Sequence, residues 1–103
     1  MNNYQETQLA ALGDKTRRAI LMRLRQGPLS VGEISQAFPM SRPAISQHLR
    51  VLKQAHLVTD SAAGTRRLYR LDREGVDSLR AFFDQFWDTA LDQFARAAEG
   101  DRS

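Results

Sequence analysis

Cysteine is absent from the 103-residue chain, which excludes disulfides, thiolate metal sites and thiol redox sensing. Histidine is scarce. His48 and His56 are the only two, and neither has an acidic partner nearby in sequence, so no nucleophile with an adjacent base can be assembled. The chain does not read as an enzyme, and it calls for no cofactor. Long apolar runs are missing too: none approaches a membrane span, and the opening MNNYQETQ has no signal-peptide core. These absences describe a soluble, cytoplasmic protein without membrane contact. Carboxylates are locally missing as well, with none between Ser41 and Asp60.

That carboxylate-free stretch organises the chain. SRPAISQHLRVLKQAH, residues 41–56, reads as one helix with two unlike faces. Ile45, Leu49 and Leu52, with Ala44 and Ala55 beside them, form an apolar stripe suited to a core. Arg42, Ser46, Gln47, Arg50 and Lys53 occupy the other face. Ser41 is placed to cap the first turn, and Pro43 sits inside that turn, where a missing N–H costs nothing. A short-polar, cationic face at a helix N-terminus suits the reading of base edges in a major groove. An ordinary surface helix with a solvated basic face would look similar, so the flanking segments must decide.

Charge is distributed in blocks. Residues 1–40 hold five Lys/Arg and three acids, residues 41–73 seven and two, and residues 74–103 three and seven. The nets are +2, +5 and −4, within an overall +3. A basic middle beside an acidic end fits one anion-binding face with the acidic segment turned away.

The length fits one domain, residues 1–103. Tyr4–Leu12 reads as a short helix, broken by Gly13-Asp14, with Asp14 capping a second helix from Lys15 to Gln26. That helix buries Ile20, Leu21 and Leu24, exposes Arg17, Arg18, Arg23 and Arg25, and ends at Gly27-Pro28. Ser30-Val31-Gly32-Glu33 matches a capping box at the head of a third helix, whose apolar side is Ile34, Ala37 and Phe38 and which Pro39 stops. Phe38-Pro39-Met40 then leads tightly into the Ser41 helix, as in a helix-turn-helix.

Residues 57–71 read as a hairpin turning at Ala63-Gly64-Thr65, with Arg66 and Arg67 opening the return strand. Placed after a reading helix it is a wing whose basic flank reaches phosphates or the minor groove. An incidental basic hairpin is the plainer alternative. Asp72 caps a final helix over 73–98. Leu79, Phe82, Phe83, Phe86, Trp87, Ala90, Leu91 and Phe94 line one side of it, more aromatic surface than so small a domain readily buries. Part of the stripe roofs the monomer core, and the rest marks self-association.

The chain resembles the ArsR/SmtB group of bacterial winged-helix repressors over about residues 5–95. The matching stretches are LGDKTRRAILMRL (12–24), LSVGEISQAF (29–38), SRPAISQHLRVLKQAHLV (41–58) and GTRRLYRL (64–71). The resemblance implies a mostly α fold with a small β-hairpin, a winged helix-turn-helix, dimeric through its first and last helices. It implies double-stranded DNA as partner and a partly palindromic operator. Arg42, Ser46 and Gln47 would then face base edges, at the helix head shared with Pro43. Ser41, His48 and Arg50 would lie nearer the backbone, and Arg66 and Arg67 on the wing. The dimer interface would take Tyr4 and Leu9 with Phe82, Phe83, Phe86, Trp87, Ala90 and Phe94.

Metal-sensing members carry a Cys-x-Cys-type site on the third helix, where this chain has EISQAF. Others use His and carboxylates on the last helix, which here has Asp84, Asp88 and Asp92 but no His. Those aspartates read as a solvated face in preference to a weak cation site. No metal site is expected, and the chain looks like the metal-free branch, its inducer unspecified. A winged-helix module that binds protein and not DNA is the alternative, opposed by arginines on both the Ser41 helix and the wing.

Overall fold

The structure is a computed structural model that describes residues 3–100. Five helices and three short strands follow in the order α1 (Asn3–Ala11), α2 (Lys15–Leu24), β1 (Leu29–Ser30), α3 (Val31–Gln36), α4 (Arg42–Gln54), β2 (Val58–Ala63), β3 (Arg66–Leu71) and α5 (Arg73–Gly100). The fold is a winged helix-turn-helix.

Most helix starts are set by the side chains expected to cap them. Asp14 Oδ1 accepts from the backbone N–H groups of Thr16 and Arg17 at 2.8 and 3.0 Å. Ser30 and Glu33 complete a reciprocal capping box, and Ser41 Oγ accepts from Ala44 N–H at 3.3 Å. Each such cap satisfies donors that a helix leaves free and contributes about 1 kcal/mol.

Helix ends differ from the sequence reading. α2 stops at Leu24, with Arg25 as its C-cap. α3 stops at Gln36, leaving Ala37 exposed and Phe38 packed against the core. Pro39 acts before its own position, because the residue preceding proline is pushed out of helical geometry. Arg17, expected at the surface, is half-buried, and its Nε donates to the Ala11 carbonyl at 2.7 Å, tying off the end of α1.

The sheet has the antiparallel order β1-β3-β2. Val58 pairs with Leu71 and Ala63 with Arg66, so Gly64-Thr65 alone makes the turn, with Gly64 at φ 64°. β1 adds Leu29 opposite Tyr69 and Ser30 opposite Leu68, anchoring the hairpin beside the start of α3. The sequence reading lacked this strand, since two residues carry no alternation.

Ile20, Leu24, Ile34, Ile45, Leu49, Leu52, Leu57 and Val58 are buried together. α4 contributes three of these, so its inner stripe is the keel of the core. The end of α4 meets the start of α5 at an unusually close contact. The helix closes with His56 N–H donating to the Lys53 carbonyl and Leu57 N–H to that of Leu52, at 3.0 and 2.9 Å. His56 itself sits in the left-handed region, φ 58°, where glycine is usual. Its carbonyl then lies so near Gly75 that a Cβ there would stand 1.6 Å from the oxygen. Gln8, fully buried on α1, donates from Nε2 to the Gly75 carbonyl at 3.0 Å.

Gly75→Ala should therefore cost about 3 kcal/mol or more, since the opposing atoms are backbone and cannot swing aside. Denaturant unfolding measures it; an unchanged midpoint would rule out the contact as described.

Candidate nucleic-acid interface

The period of α4 sorts its residues. Ile45, Leu49 and Leu52 point inward, while Ser41, Arg42, Pro43, Ser46, Gln47, Arg50 and Lys53 are exposed along the outer side. Apart from Lys53, these are six of the seven α4 candidates for DNA contact, brought to one solvent-facing side of a helix that itself carries no carboxylate. The seventh, His48, differs. Its ring is half-buried, with Nδ1 3.5 Å from Arg17 Nη1. It faces the head of α2 at the margin of the surface.

Arg42 folds back across α3. A Cβ on Gly32 would meet its Nη2 at 2.5 Å, so the small residue makes room for the guanidinium. Between the wing and the α3–α4 pair lies a cleft of about 370 Å³, lined by Ser30, Gly32, Arg42, Thr65, Arg66 and Arg67. Three arginines from two separate elements converge there. Clustered guanidiniums repel one another, and an anionic partner would relieve that repulsion.

Two carboxylates hold the wing arginines, and sequence reasoning missed both roles. Glu33 pairs with Arg66, and Asp60 with Arg67 and with Lys53 Nζ, the last at 2.7 Å. Glu33 was legible only as a cap, because Arg66 lies 33 positions away. Asp60 left a signal: in this hairpin register Ala62 opposes Arg67, which puts Asp60 on the diagonal of the same face. The Asp60 carboxyl is lowered by Lys53 and then Arg67, against the opposing effect of burial. Glu33 is lowered chiefly by the Ser30 N–H and hydroxyl, with Arg66 adding to them. Asp14 is lowered first by the Arg17 N–H.

The far end of the molecule is different in kind. α5 runs 28 residues and gives a body 67 × 26 × 24 Å. Leu9 and Phe82 pack against the core, the Tyr4 ring meets that of His56 at a tilt with centroids 5.2 Å apart, and Ala90 is half-buried. Phe83, Phe86, Trp87 and Phe94 are exposed, Phe86 by 51% and Phe94 by 76%. An apolar hollow of about 440 Å³ opens between Leu9 and Phe82, Phe83 and Phe86. Asp84, Asp88 and Asp92 are exposed on the same helix, and Asp92 pairs with Arg96 at 3.1 Å. Among the described residues no group of three or more His, Cys, Asp or Glu could hold a metal ion, and no helix is long and apolar enough to cross a membrane.

Residues 14–60 match the sequence profile of the bacterial regulatory protein, arsR family. The HTH-type transcriptional regulator Rv2034 of Mycobacterium tuberculosis is 52% identical, with 98% of each chain covered. The transcriptional repressor SdpR of Bacillus subtilis is 42% identical over 70% of this chain and 76% of its own length. Among solved structures, a homodimeric winged helix-turn-helix DNA-binding domain from Mycobacterium bovis superposes with a TM-score of 0.70 at 32% identity, covering 84% of this chain and 80% of that one.

The lowered carboxyls fix a pH dependence. A carboxyl whose folded value is depressed contributes stability that is present above its unfolded value, 3.8 for Asp60, and is lost as pH falls through the folded one. Thermal stability should be flat near neutrality and fall below about pH 5. Asp60→Asn should lose less on acidification than the unmodified chain when melting is followed across pH. Parallel losses would remove Asp60 as a contributor.

Proposed function

The chain belongs to the ArsR family of bacterial transcriptional regulators, and on that premise we propose that it represses transcription by reading a partly palindromic operator as a homodimer, without metal as its signal. It is a regulator and not an enzyme. The observation that carries the reading is the outer face of α4, capped by Ser41, cationic, free of carboxylates and flanked by the wing arginines.

In this reading residues 41–56 enter a major groove. Arg42, Ser46 and Gln47 meet base edges, since guanidinium and amide forks match the donor and acceptor pairs of guanine and adenine. Pro43 stiffens the helix head. Ser41, Arg50 and the His48–Arg17 margin lie along the backbone, while the wing, residues 57–71, brings Arg66 and Arg67 to phosphates. The acidic side of α5 is unsuited to DNA and stays away from it.

The homodimer reading rests on the aromatic face of α5, residues 73–98, with Tyr4 and Leu9 of α1 beside it. Apolar surface this continuous is costly in water and marks a partner. Two α4 helices on a twofold axis could occupy successive major grooves, about 34–36 Å apart. The metal-free reading rests on chemistry: the chain has no thiolate, and α5 has no imidazole to join its aspartates. A regulator acting on chromosomal DNA would work in the cytoplasm, with the chain as a single winged-helix domain.

Selection of duplexes from a random pool would yield the preferred sequence. On it, Gln47→Ala should cost about 1–3 kcal/mol and relax preference at one position. Arg66→Ala should weaken binding to every sequence alike and reduce the salt slope by about 1. Equal losses on selected and scrambled duplexes for both variants would overturn the division of roles.

A further inference from the structure

Asp60 is set into the basic surface between α4 and the wing, and its side chain is sheltered. Only 5% of its side chain is exposed, against 45% for Glu33 in the neighbouring Glu33–Arg66 pair. The difference decides what each does. An exposed pair gains little over water, so Glu33 gives up Arg66 to a phosphate at small cost. A sheltered carboxylate depends on its partners, because few waters remain to replace them.

The partners of Asp60 come from two elements. Oδ1 takes Lys53 Nζ from the last turn of α4, and Oδ2 takes Arg67 Nε from β3. Both cations keep more than half of their side chains exposed, 53% and 59%, so both still present charge to solvent. Nε is the inner nitrogen of the guanidinium. Gripping it leaves the two terminal nitrogens available for a forked contact with phosphate.

We propose that Asp60 is a positioning residue for DNA binding, one that ties the wing to the end of the recognition helix and orients Arg67 and Lys53 toward the same strand. The inference rests on the DNA-binding reading above. A negative charge here would otherwise only oppose a polyanion. What it gives in return is register: a wing fixed relative to α4 meets its phosphates when the helix meets its bases, without ordering either on arrival.

The sign of the effect tests this. Asp60→Asn keeps the shape and makes the surface more positive, so charge alone would tighten binding to all DNA. Positioning requires the reverse on the duplex that the unmodified chain selects from a random pool. Affinity there should fall about tenfold, the loss expected of one charge-assisted hydrogen bond, while a scrambled duplex of equal length binds as well as before or better. The ratio of the two affinities is the readout, with melting temperature recorded alongside. Unchanged or tighter binding to the selected duplex, or an equal loss on both, overturns the proposal. Should Asp60→Asn fail to melt cooperatively, Lys53→Gln severs the same tie from an exposed position. It should weaken the selected duplex more than the scrambled one; equal weakening would make Lys53 a simple phosphate contact and end the proposal. If the unmodified chain enriches no duplex at all, the DNA-binding reading itself fails.

Discussion

The arrangement of this chain depends on the contact between the His56 carbonyl and Gly75. Here the end of α4 and the first turn of α5 touch backbone to backbone, with no room for a Cβ. Gln8 of α1 is drawn into the same point through its bond to the Gly75 carbonyl. The left-handed His56 carries a conformational cost of order 1 kcal/mol. Two backbone hydrogen bonds at the end of α4 and the ring contact with Tyr4 offset it. Leu57 continues the joint by accepting at its carbonyl from Asp72 N–H, 3.0 Å away, so the hairpin is closed at its base. Helix end, hairpin base and α5 thus meet in one rigid corner, and the direction of α5 fixes that of α4.

α4 answers two opposed demands with one period. Its inner stripe must be apolar to hold α2, α3 and the sheet, and its outer side must be polar, cationic and free of acids. Residues at spacing three and four satisfy the first, and those between them remain for the second. The wing faces a milder form of the same conflict, since clustered arginines repel in the absence of an anion. Glu33 and Asp60 neutralise them, one at the surface and one in shelter, and the difference in exposure sets how readily each yields.

Much of this was legible because it is local. Ser41 before Arg42-Pro43, the Ser30–Glu33 box and Asp14 each announce a helix start through an interaction spanning three or four residues. The hairpin was legible from alternation, and the α4 stripe from its period. What escaped depends on distance along the chain. Nothing near Glu33 points to Arg66, nothing near Gln8 to Gly75, and a two-residue β1 has no pattern to read. Arg17 looked like one of four surface arginines, and only the folded chain shows which of them reaches back to the Ala11 carbonyl. The family resemblance puts His48 near the DNA backbone, and its position in the turn brings it to the edge of the outer face, against Arg17.

In the proposed dimer α5 would turn one reading helix into two at a fixed spacing, with the corner at Gly75 transmitting its direction to α4. Sedimentation of a Phe94→Glu variant, paired with titration against a selected duplex, tests this most directly. Phe94 is 76% exposed in the single chain, so the substitution leaves the monomer fold intact while burying an unpaired charge in any α5–α5 contact. A folded monomer that has lost affinity for the duplex is the expected result. A folded monomer that binds the duplex as tightly as the unmodified chain would contradict the proposed dimer.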